Sequence, residues 1–410
     1  MIELAILIGG ILLVVATLSS RLADRMGMPT LLLFLVIGML AGSEGFGGIS
    51  FDSPADAQVI GTVALMVILF AGGLDTRWQS IRPVLAPGLM LSTFGVLLTA
   101  LLVAAFSKWL LGTFTQFDIG MGVGLTWLEA LLIAAIVSST DAAAVFSVYS
   151  TSSTQPQRKL RSLLEFESGS NDPMAVLLTV TILGIMVEGQ EIEMALAVSV
   201  VMQFLLGALI GGAFGWLGSK LCNRLQFSTE YLYPMLVLGS GATAFGVSSL
   251  VGGNSFLAVY VAGLVIGNQV NRGRDEIMNF HNGLSWLMQI VIFVMLGLLV
   301  FPSQLLPVAW VSLAVAAFLI FVARPVAVLA CYLPFSPTRK EVAYVSWVGL
   351  RGSVPIVLAT FPATWGVANA DLIFHFVFFV VLTSVLVQGV TLVPAAKFLD
   401  VVETDNVKPD

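Results

Sequence analysis

The chain alternates long apolar runs with short polar segments along almost its whole length. A helix needs about 20 predominantly apolar residues to cross a bilayer, and most of these runs approach or exceed that length. None shows the ten-residue alternation that is typical of an outer-membrane barrel, so the pattern predicts an all-α polytopic membrane protein. The thirteen predicted spans are 3–20, 28–43, 57–74, 84–106, 126–149, 162–187, 194–219, 229–250, 254–268, 280–301, 304–331, 341–364 and 370–395.

An odd number of spans favours two six-helix halves around a linker helix. The halves are then 3–187 and 229–395, with the linker at 194–219, and the second half is inverted relative to the first. Inverted repeats of this kind build many secondary transporters, whose sites lie where broken helices meet at mid-membrane. We therefore predict one transporter domain, residues 1–400, followed by a cytoplasmic tail, residues 401–410.

Spans 5 and 12 correspond in these two repeats, and both are interrupted by residues that loosen a helix. Span 5 contains Ser138–Asp141, and span 12 contains Gly349–Pro355. Ser, Thr and Asp side chains satisfy backbone groups that a broken helix frees, and Pro removes a helical hydrogen bond. We predict that both helices are broken and that they cross at mid-membrane.

Composition agrees with a membrane protein, because 58% of the residues are hydrophobic and 10% are charged, against roughly 25% charged in soluble domains. The few basic residues fall mainly on one side of the predicted spans. This asymmetry predicts an N-terminus outside and a C-terminus in the cytoplasm. The fifteen predicted inner residues, of eighteen Lys and Arg in all, are Arg21, Arg25, Arg77, Arg82, Arg158, Lys159, Arg161, Lys220, Arg224, Arg272, Arg274, Arg339, Lys340, Lys397 and Lys408.

The predicted span 162–187 contains acidic residues, which are unexpected in a helix that crosses an apolar bilayer. A carboxylate near the bilayer centre costs about 2.5–3.5 kcal/mol on insertion scales, so a function or a partner must retain it. At ~100° per residue, Ser168 shares a face with Asp172, and Glu167 shares one with Asn171. Oxygen ligands and a titratable carboxylate thus gather at one level, where a monovalent cation and a proton can compete. The alternative is that Asp172 is a buried carboxylate satisfied by hydrogen bonds.

Two further buried charges lie at the predicted helix breaks. Asp141 lies near the positive N-terminus of the second half of span 5, and Arg351 near the negative C-terminus of the first half of span 12. Each charge offsets a helix dipole. A structural role and a direct role in ion handling both remain open for these residues.

The remaining polar positions predict architecture rather than chemistry. Gln289 can hydrogen-bond across the bundle, and Arg324 precedes a proline that predicts a kink. His281 is expected to be packed or interfacial, with pH sensing as the alternative. Cys222 and Cys331 have no metal-type spacing and are predicted to be free buried thiols. The sequence has no nucleotide loop, nucleophile elbow or metal-ligand pair, so we predict no enzyme activity, no cofactor, and neither nucleotide nor nucleic-acid binding.

Three segments resemble the signature segments of NhaP-type potassium/proton antiporters, a branch of the monovalent cation/proton antiporter superfamily. They are Ser139–Phe146, Glu167–Pro173 and Gly349–Pro355, and the similarity extends over essentially the whole chain. The resemblance implies a homodimer in a bacterial inner membrane, with a core domain that moves against a dimerisation domain as an elevator. It implies the export of K⁺ or Na⁺ in exchange for protons. A Na⁺-selective antiporter is the alternative that the sequence leaves open.

The resemblance also implies roles for individual residues. Asp172 is expected to be the carboxylate shared by cation and proton, while Thr140, Glu167 and Ser168 complete the cation site, directly or through water. The K⁺ or Na⁺ ion is therefore expected at these four residues.

Three other residues have supporting roles in the same resemblance. Asn171 is expected to be a structural neighbour of the carrier carboxylate, and Asp141 and Arg351 to compensate helix dipoles. Relatives with two adjacent aspartates and a lysine on the tenth helix are electrogenic. Asn171 in place of the first aspartate, and the absence of lysine from the tenth predicted span, imply electroneutral exchange of one proton for one cation.

The sequence departs from the family pattern in two places. Ala71 precedes Gly72 and Gly73 of span 3, where the family often has an acidic residue. We therefore expect Arg351 either to lack its usual carboxylate partner or to use Glu167 or Asp75 instead. Members of this branch usually continue into a soluble regulatory domain, whereas this sequence ends at its short tail. We therefore expect the regulatory domain to be absent.

Two functions from other classes are also compatible with parts of the pattern. An ion-coupled symporter of organic anions can share an inverted-repeat fold, but it is expected to present cationic groups to its substrate. A cation channel needs a continuous polar pore, and no predicted helix has a polar stripe along its length. The carboxylate-rich centre favours the antiporter over both.

Overall fold

The computed structural model describes residues 2–26, 29–113, 125–150, 152, 154–189 and 194–403. This part of the chain is helical apart from turns and two isolated β-bridges. The helices before the predicted linker are α1 Ile2–Met26, α2 Thr30–Ala41, α3 Pro54–Asp75, α4 Trp78–Ile81, α5 Leu85–Met90, α6 Val96–Thr113, α7 Trp127–Ile136, α8 Ala142–Ser150 and α9 Arg158–Val187.

The remaining helices begin with the linker and form the second half of the chain. They are α10 Met194–Arg224, α11 Leu232–Leu250, α12 Ser255–Gln269, α13 Arg274–Leu298, α14 Pro302–Phe318, α15 Arg324–Tyr332, α16 Arg339–Trp347, α17 Ser353–Leu358, α18 Phe361–Thr364, α19 Ala370–Ser384 and α20 Val390–Phe398.

Several neighbouring helices continue into one another through short turns of different pitch. A π-helical turn, Leu319–Ala323, joins α14 to α15, and another, Val385–Gly389, joins α19 to α20. A π-turn inserts one extra residue into the helical hydrogen-bond ladder, so it rotates the side chains that follow without ending the helix.

Seven of the described helical stretches are long and apolar enough to cross a membrane, and five shorter apolar helices accompany them. The seven are Pro54–Asp75, Trp78–Gly112, Arg158–Val187, Met194–Arg224, Arg274–Leu298, Pro302–Phe335 and Ala370–Phe398. The predicted all-α polytopic class agrees with this structure. The total of thirteen spans and the inverted repeat stay predictions.

Glycines bring α3 and α12 into backbone contact. A Cβ atom on Gly263 would lie 2.4 Å from the carbonyl oxygen of Phe70, and one on Gly73 would lie 2.4 Å from that of Tyr260. Small residues allow this close approach, which is a common way for helices to associate where lipid removes the hydrophobic driving force. The two helices therefore pack as one rigid pair.

The helix α10 packs on α12 in the same way, at Gly207 and Gly211. Its opposite face exposes apolar side chains, including Val201, Leu205 and Leu209. An apolar exposed face is expected where a helix faces lipid or another subunit.

The acidic helix α9 lies at the centre of the described structure, where it packs against α5, α7, α8, α12 and α17. Leu160, Leu163, Ala175 and Leu183 are fully buried along its length. The polar residues that the sequence analysis identified on this helix are therefore surrounded by protein rather than by lipid.

The first residues of the predicted tail pair with the segment that leads into α9. Gln157 donates its backbone N–H to the carbonyl of Val401, and Glu403 donates to that of Gln155, both at 2.9 Å. The rest of the predicted tail, residues 404–410, lies outside the described residues. The two cysteines, Cys222 and Cys331, are free and buried, as predicted.

Candidate functional site

The first interruption separates α7 from α8. Helix α7 ends at Ile136, and α8 begins at Ala142. The carboxylate of Asp141 accepts a hydrogen bond from the backbone N–H of Ala144 at 3.0 Å, so it caps the positive end of α8. This is the position that the sequence analysis expected for Asp141.

The second interruption separates α16 from α17, and it lies against the first. Asp141 donates its backbone N–H to the carbonyl of Leu350 at 2.8 Å. A Cβ atom on Gly352 would lie 1.6 Å from the carboxylate of Asp141, so glycine is the residue that fits between the two segments. The two broken helices are therefore in direct contact.

Arg351 connects the two breaks from the other side. Its guanidinium donates to the carbonyl of Ser138 and, at 2.6 Å, to that of Ser139, and its side chain is almost completely buried. The sequence analysis placed this charge at the end of its own helix, but the structure places it at the carbonyl end of α7. Neither candidate partner, Glu167 or Asp75, forms an ion pair with Arg351 in the described structure.

Helix α9 satisfies further backbone groups of the first break. The hydroxyl of Ser168 accepts from the backbone N–H of Ala142 at 2.9 Å and donates to the carbonyl of Thr140 at 2.8 Å. The amide of Asn171 donates to the hydroxyl of Thr140 at 2.6 Å. Three of the residues that the sequence singled out, Thr140, Ser168 and Asn171, are thus brought together as one hydrogen-bonded unit.

Asp172 lies on α9 beside this unit, and one of its oxygens has no hydrogen-bond partner among the described residues. The side chain is 6% exposed, and its Oδ1 atom is buried without a hydrogen bond. The hydroxyl of Ser139 lies beside this carboxylate, and neither the hydroxyl nor Oδ1 makes a hydrogen bond of standard geometry to a described residue. Pro173 follows Asp172 and has no N–H to offer, so the carbonyl of Gly169 lacks its helical partner. Buried oxygens without partners are unusual and call for an explanation.

Glu167 has a different environment from Asp172. It forms a two-pronged ion pair with Arg324, through Nη1 to Oε1 and through Nη2 to Oε2 at 3.0 Å. Arg324 also donates to the carbonyl of Val345 at 3.3 Å. The sequence predicts Arg324 only as the residue before a kink and does not reveal this pair. A signal for the pair is nevertheless present, because Glu167 and Arg324 are opposite charges within two predominantly apolar spans.

A cavity of about 870 Å³ reaches this region from one side of the molecule. Asp172, Ser168 and Asp141 line it, whereas Thr140 and Glu167 do not. The walls opposite α9 come from α3, α12 and α13. The other charged residues that line it are Asp75, Arg77, Arg158, Arg161, Glu165 and Glu403. The basic residues among them are on the side that is predicted to be cytoplasmic.

A polar contact links the turn after α2 to the start of α14. Glu44, in the turn after α2, accepts hydrogen bonds from the backbone N–H of Ser303 at 2.8 Å and from its hydroxyl. These two hydrogen bonds hold the pKa of Glu44 below its usual value. The bond from the hydroxyl has the larger effect, and the bond from the backbone N–H has the smaller one. The charge also caps the N-terminus of α14.

The sequence matches a known family over most of its length. Residues 10–398 match the family described as sodium/hydrogen exchanger, transmembrane. The chain belongs to the sodium/hydrogen exchanger family. Members of this family are integral membrane cation/proton antiporters, so the transported ions are substrates and no cofactor is indicated.

Similar proteins place the chain in the NhaP-type branch of the sodium/hydrogen exchangers. It is 42% identical to the K⁺/H⁺ antiporter NhaP of Alkalimonas amylolytica, over 100% of this chain and 69% of that protein. It is 44% identical to the K⁺/H⁺ antiporter NhaP2 of Shewanella sp. (strain MR-4), over 96% of this chain and 67% of that protein. The predicted resemblance to NhaP-type antiporters is confirmed.

A solved structure shows the same fold for this exchanger. The structure of the sodium proton antiporter MjNhaP1 from Methanocaldococcus jannaschii, determined at pH 8, superimposes on this chain with a TM-score of 0.81. The two sequences are 25% identical. The superposition covers 97% of this chain and 99% of that one. The exchanger is therefore a helical polytopic membrane protein.

The ion pair between Glu167 and Arg324 makes a prediction about stability. Glu167→Gln leaves the buried charge of Arg324 uncompensated, and removing one partner of a buried pair costs about 3–5 kcal/mol. We expect a large drop in the melting temperature of the detergent-solubilised protein. Glu165→Gln is the matched control, because Glu165 pairs with the exposed side chain of Arg161 and such pairs contribute about 1 kcal/mol or less.

The double variant Glu167→Gln/Arg324→Gln measures how much of the stability loss comes from the interaction between the two side chains. It is expected to lose less stability than the sum of the two single variants, because neither buried charge is left alone. Melting temperatures of Glu167→Gln and Glu165→Gln that fall equally would show that the Glu167 pair has no special role.

Proposed function

We propose that this antiporter exchanges a monovalent cation for a proton at the carboxylate of Asp172. The observation that carries the proposal is a buried carboxylate that lines a cavity open to one side and has one oxygen without a hydrogen-bond partner among the described residues. A carboxylate in this position binds either a proton or a cation, and each makes it neutral. That is the property an exchanger of the two ions requires.

The other charges at the site are already committed to structural partners. Glu167 is paired with Arg324, Asp141 caps α8, and Arg351 donates to two carbonyls. Removing any of these from its partner leaves a buried polar group unsatisfied. Asp172 is the charged group of this region that can exchange one bound ion for another without leaving a buried polar group unsatisfied.

The charge of the site supports electroneutral exchange. Asp172 with a proton is neutral, and Asp172 with a monovalent cation is also neutral. Its neighbour Asn171 contributes no charge and is engaged with Thr140. Each half of the cycle then moves a neutral site across the membrane, so one proton replaces one cation.

K⁺ is the proposed physiological cation, with Na⁺ as the alternative. The proteins similar to this chain at 42% and 44% identity are described as K⁺/H⁺ antiporters. A Na⁺/H⁺ antiporter of Methanocaldococcus jannaschii is 29% identical. The greater similarity to the first group supports K⁺.

Alternating access by an elevator motion suits the observed packing. The two breaks and α9 are tied to one another by hydrogen bonds, so they form a unit that can move together. The pair α3 and α12 is held by backbone contact at Gly73 and Gly263 and forms the opposing wall. Sliding of the first unit along the second would carry Asp172 between two openings. The exposed apolar face of α10 is available for a homodimer in the membrane.

The first functional prediction concerns the carboxylate itself. Asp172→Asn is expected to abolish exchange while the protein remains folded, because an amide neither releases a proton nor attracts a cation. The measurement is the loss of a pH gradient from proteoliposomes when K⁺ or Na⁺ is added. The exposed Asp56 at the start of α3 provides the control, and Asp56→Asn is expected to exchange normally. Near-normal exchange by Asp172→Asn would refute the mechanism.

The second functional prediction concerns the charge that moves in one cycle. A membrane potential of either sign, imposed with a gradient of a permeant anion, is expected to leave the initial rate of exchange unchanged. The reason is that the loaded site is neutral in both directions. A sustained current on a solid-supported membrane, or a rate that follows the potential, would contradict one-for-one exchange.

The third functional prediction is competition between the two ions. Below the pKa of Asp172 an arriving cation must displace a proton, so the apparent cation affinity is expected to fall about tenfold for each unit by which the pH drops. Above that pKa the affinity becomes independent of pH, and the rate declines because fewer protons are bound for the return step. Apparent affinities measured in proteoliposomes over a range of pH test this. An affinity that never depends on pH would place proton and cation on different groups.

A further inference from the structure

The wall of the cavity opposite α9 contains two buried polar side chains that the exchange mechanism does not use. Tyr260 of α12 is 3% exposed, and Gln289 of α13 is 8% exposed. Both line the cavity together with Asp172. The Oε1 atom of Gln289 is buried without a hydrogen-bond partner among the described residues. The hydroxyl of Tyr260 lies beside the side chain of Thr76 but makes no hydrogen bond of standard geometry to a described residue.

The ring of Tyr260 is held close to Asp172. A Cβ atom on Gly169 would lie 2.4 Å from the ring and 2.9 Å from its hydroxyl, so the ring lies directly on that glycine. Gly169 precedes Asp172 by three residues, which is about one turn of α9. The backbone of Tyr260 is fixed in turn by its contact with Gly73 of α3. The phenol therefore faces α9 from the wall formed by α3 and α12.

Gln289 lines the same cavity from α13. Its amide nitrogen donates to the hydroxyl of Ser285, one turn earlier on α13, at 3.5 Å. This contact directs Nε2 along the helix and leaves Oε1 free. The aliphatic residues Ala71 and Gly72 occupy the neighbouring part of the cavity wall on α3 and supply no side-chain oxygen.

Several oxygens without partners thus surround one space. They belong to the side chains of Asp172, Tyr260 and Gln289. Pro173 in addition offers no helical N–H to the carbonyl of Gly169. Buried oxygens need a donor, a water molecule or a cation to replace their lost hydration. Neutral oxygens replace the hydration shell of an alkali cation at little electrostatic cost, and their number and spacing determine which ion is preferred. A proton on Asp172 needs none of them.

We propose that Tyr260 and Gln289 are specificity-determining ligands, which bind the cation at Asp172 through the phenol oxygen and the amide oxygen, directly or through one water. The proposal rests on the function proposed above, because it places the cation at Asp172. The two side chains act on the cation and not on the proton. They contribute to discrimination among Na⁺, K⁺ and Rb⁺, while Asp172 supplies the charge that all three share.

Tyr260→Phe tests this, because it removes one oxygen and keeps the ring that packs on Gly169. The KM for K⁺ is expected to rise roughly 2- to 10-fold, as the loss of one polar contact implies. The maximal rate stays within about twofold of the original, since a weaker ground-state contact leaves the later steps intact. The order of preference among Na⁺, K⁺ and Rb⁺ changes.

The pH dependence separates a cation ligand from a residue that acts on the carboxylate. A cation ligand raises the KM by the same factor at every pH and leaves the pH of the maximal rate unchanged. Tyr233→Phe is the matched control, because that hydroxyl donates to the carbonyl of Leu225 and lies outside the cavity. It is expected to leave KM, ion preference and pH profile unaltered.

Gln289→Leu provides an independent variant with the same expectation, and melting temperatures in detergent show whether each variant is folded. An unchanged KM and ion preference in both folded variants overturns the proposal. A fall in maximal rate at constant KM, or a shifted pH profile, overturns it as well, because these indicate a structural role or an effect on the proton. If the unaltered protein shows no exchange, the proposed function is refuted instead. Failure of the proposed function is therefore distinguishable from failure of the proposed role of Tyr260 and Gln289.

Discussion

The structure depends on the need to satisfy backbone polar groups where two membrane helices are broken. An unpaired N–H or C=O group inside an apolar bilayer costs several kcal/mol. Here the breaks satisfy each other: Asp141 caps α8 and bonds to Leu350, and Arg351 bonds to Ser138 and Ser139 at the end of α7. Interrupted helices are thereby stable within the protein, and their ends place polar groups deep in the bundle.

This arrangement also decides which charges are available for transport. Arg351 and Asp141 are bound to backbone groups, and Glu167 is bound to Arg324, so each has a fixed partner in the described structure. Asp172 keeps an oxygen free beside them. In the proposed mechanism these structural charges hold the surroundings of one exchangeable charge, and the low dielectric that makes them costly to separate makes Asp172 sensitive to the ion that it binds.

The two ends of the molecule differ in this conformation. A cavity reaches Asp172 from the side where Arg158 and Arg161 lie, and the pairing of Val401 and Glu403 with the segment before α9 borders that mouth. At the other end, Glu44 bridges to the start of α14. The described structure is therefore open on one side, as the proposed alternating access requires of one of its states.

The sequence alone determined the helical membrane class and the positions of the two breaks, because long apolar runs and interruptions by Ser, Thr, Asp, Gly and Pro are local features. The depth of Asp172 in an apolar helix is also visible without a fold, and it is the basis on which this carboxylate is predicted to bind the exchanged ions. Only the tertiary structure decided which buried charges pair: Glu167 meets Arg324, a residue 157 positions away, and so is committed to an ion pair. It likewise decided that Tyr260 and Gln289 face the cavity. A single polar residue in an apolar helix has the same local pattern whether it packs, pairs or binds an ion, and the helix that faces it determines which.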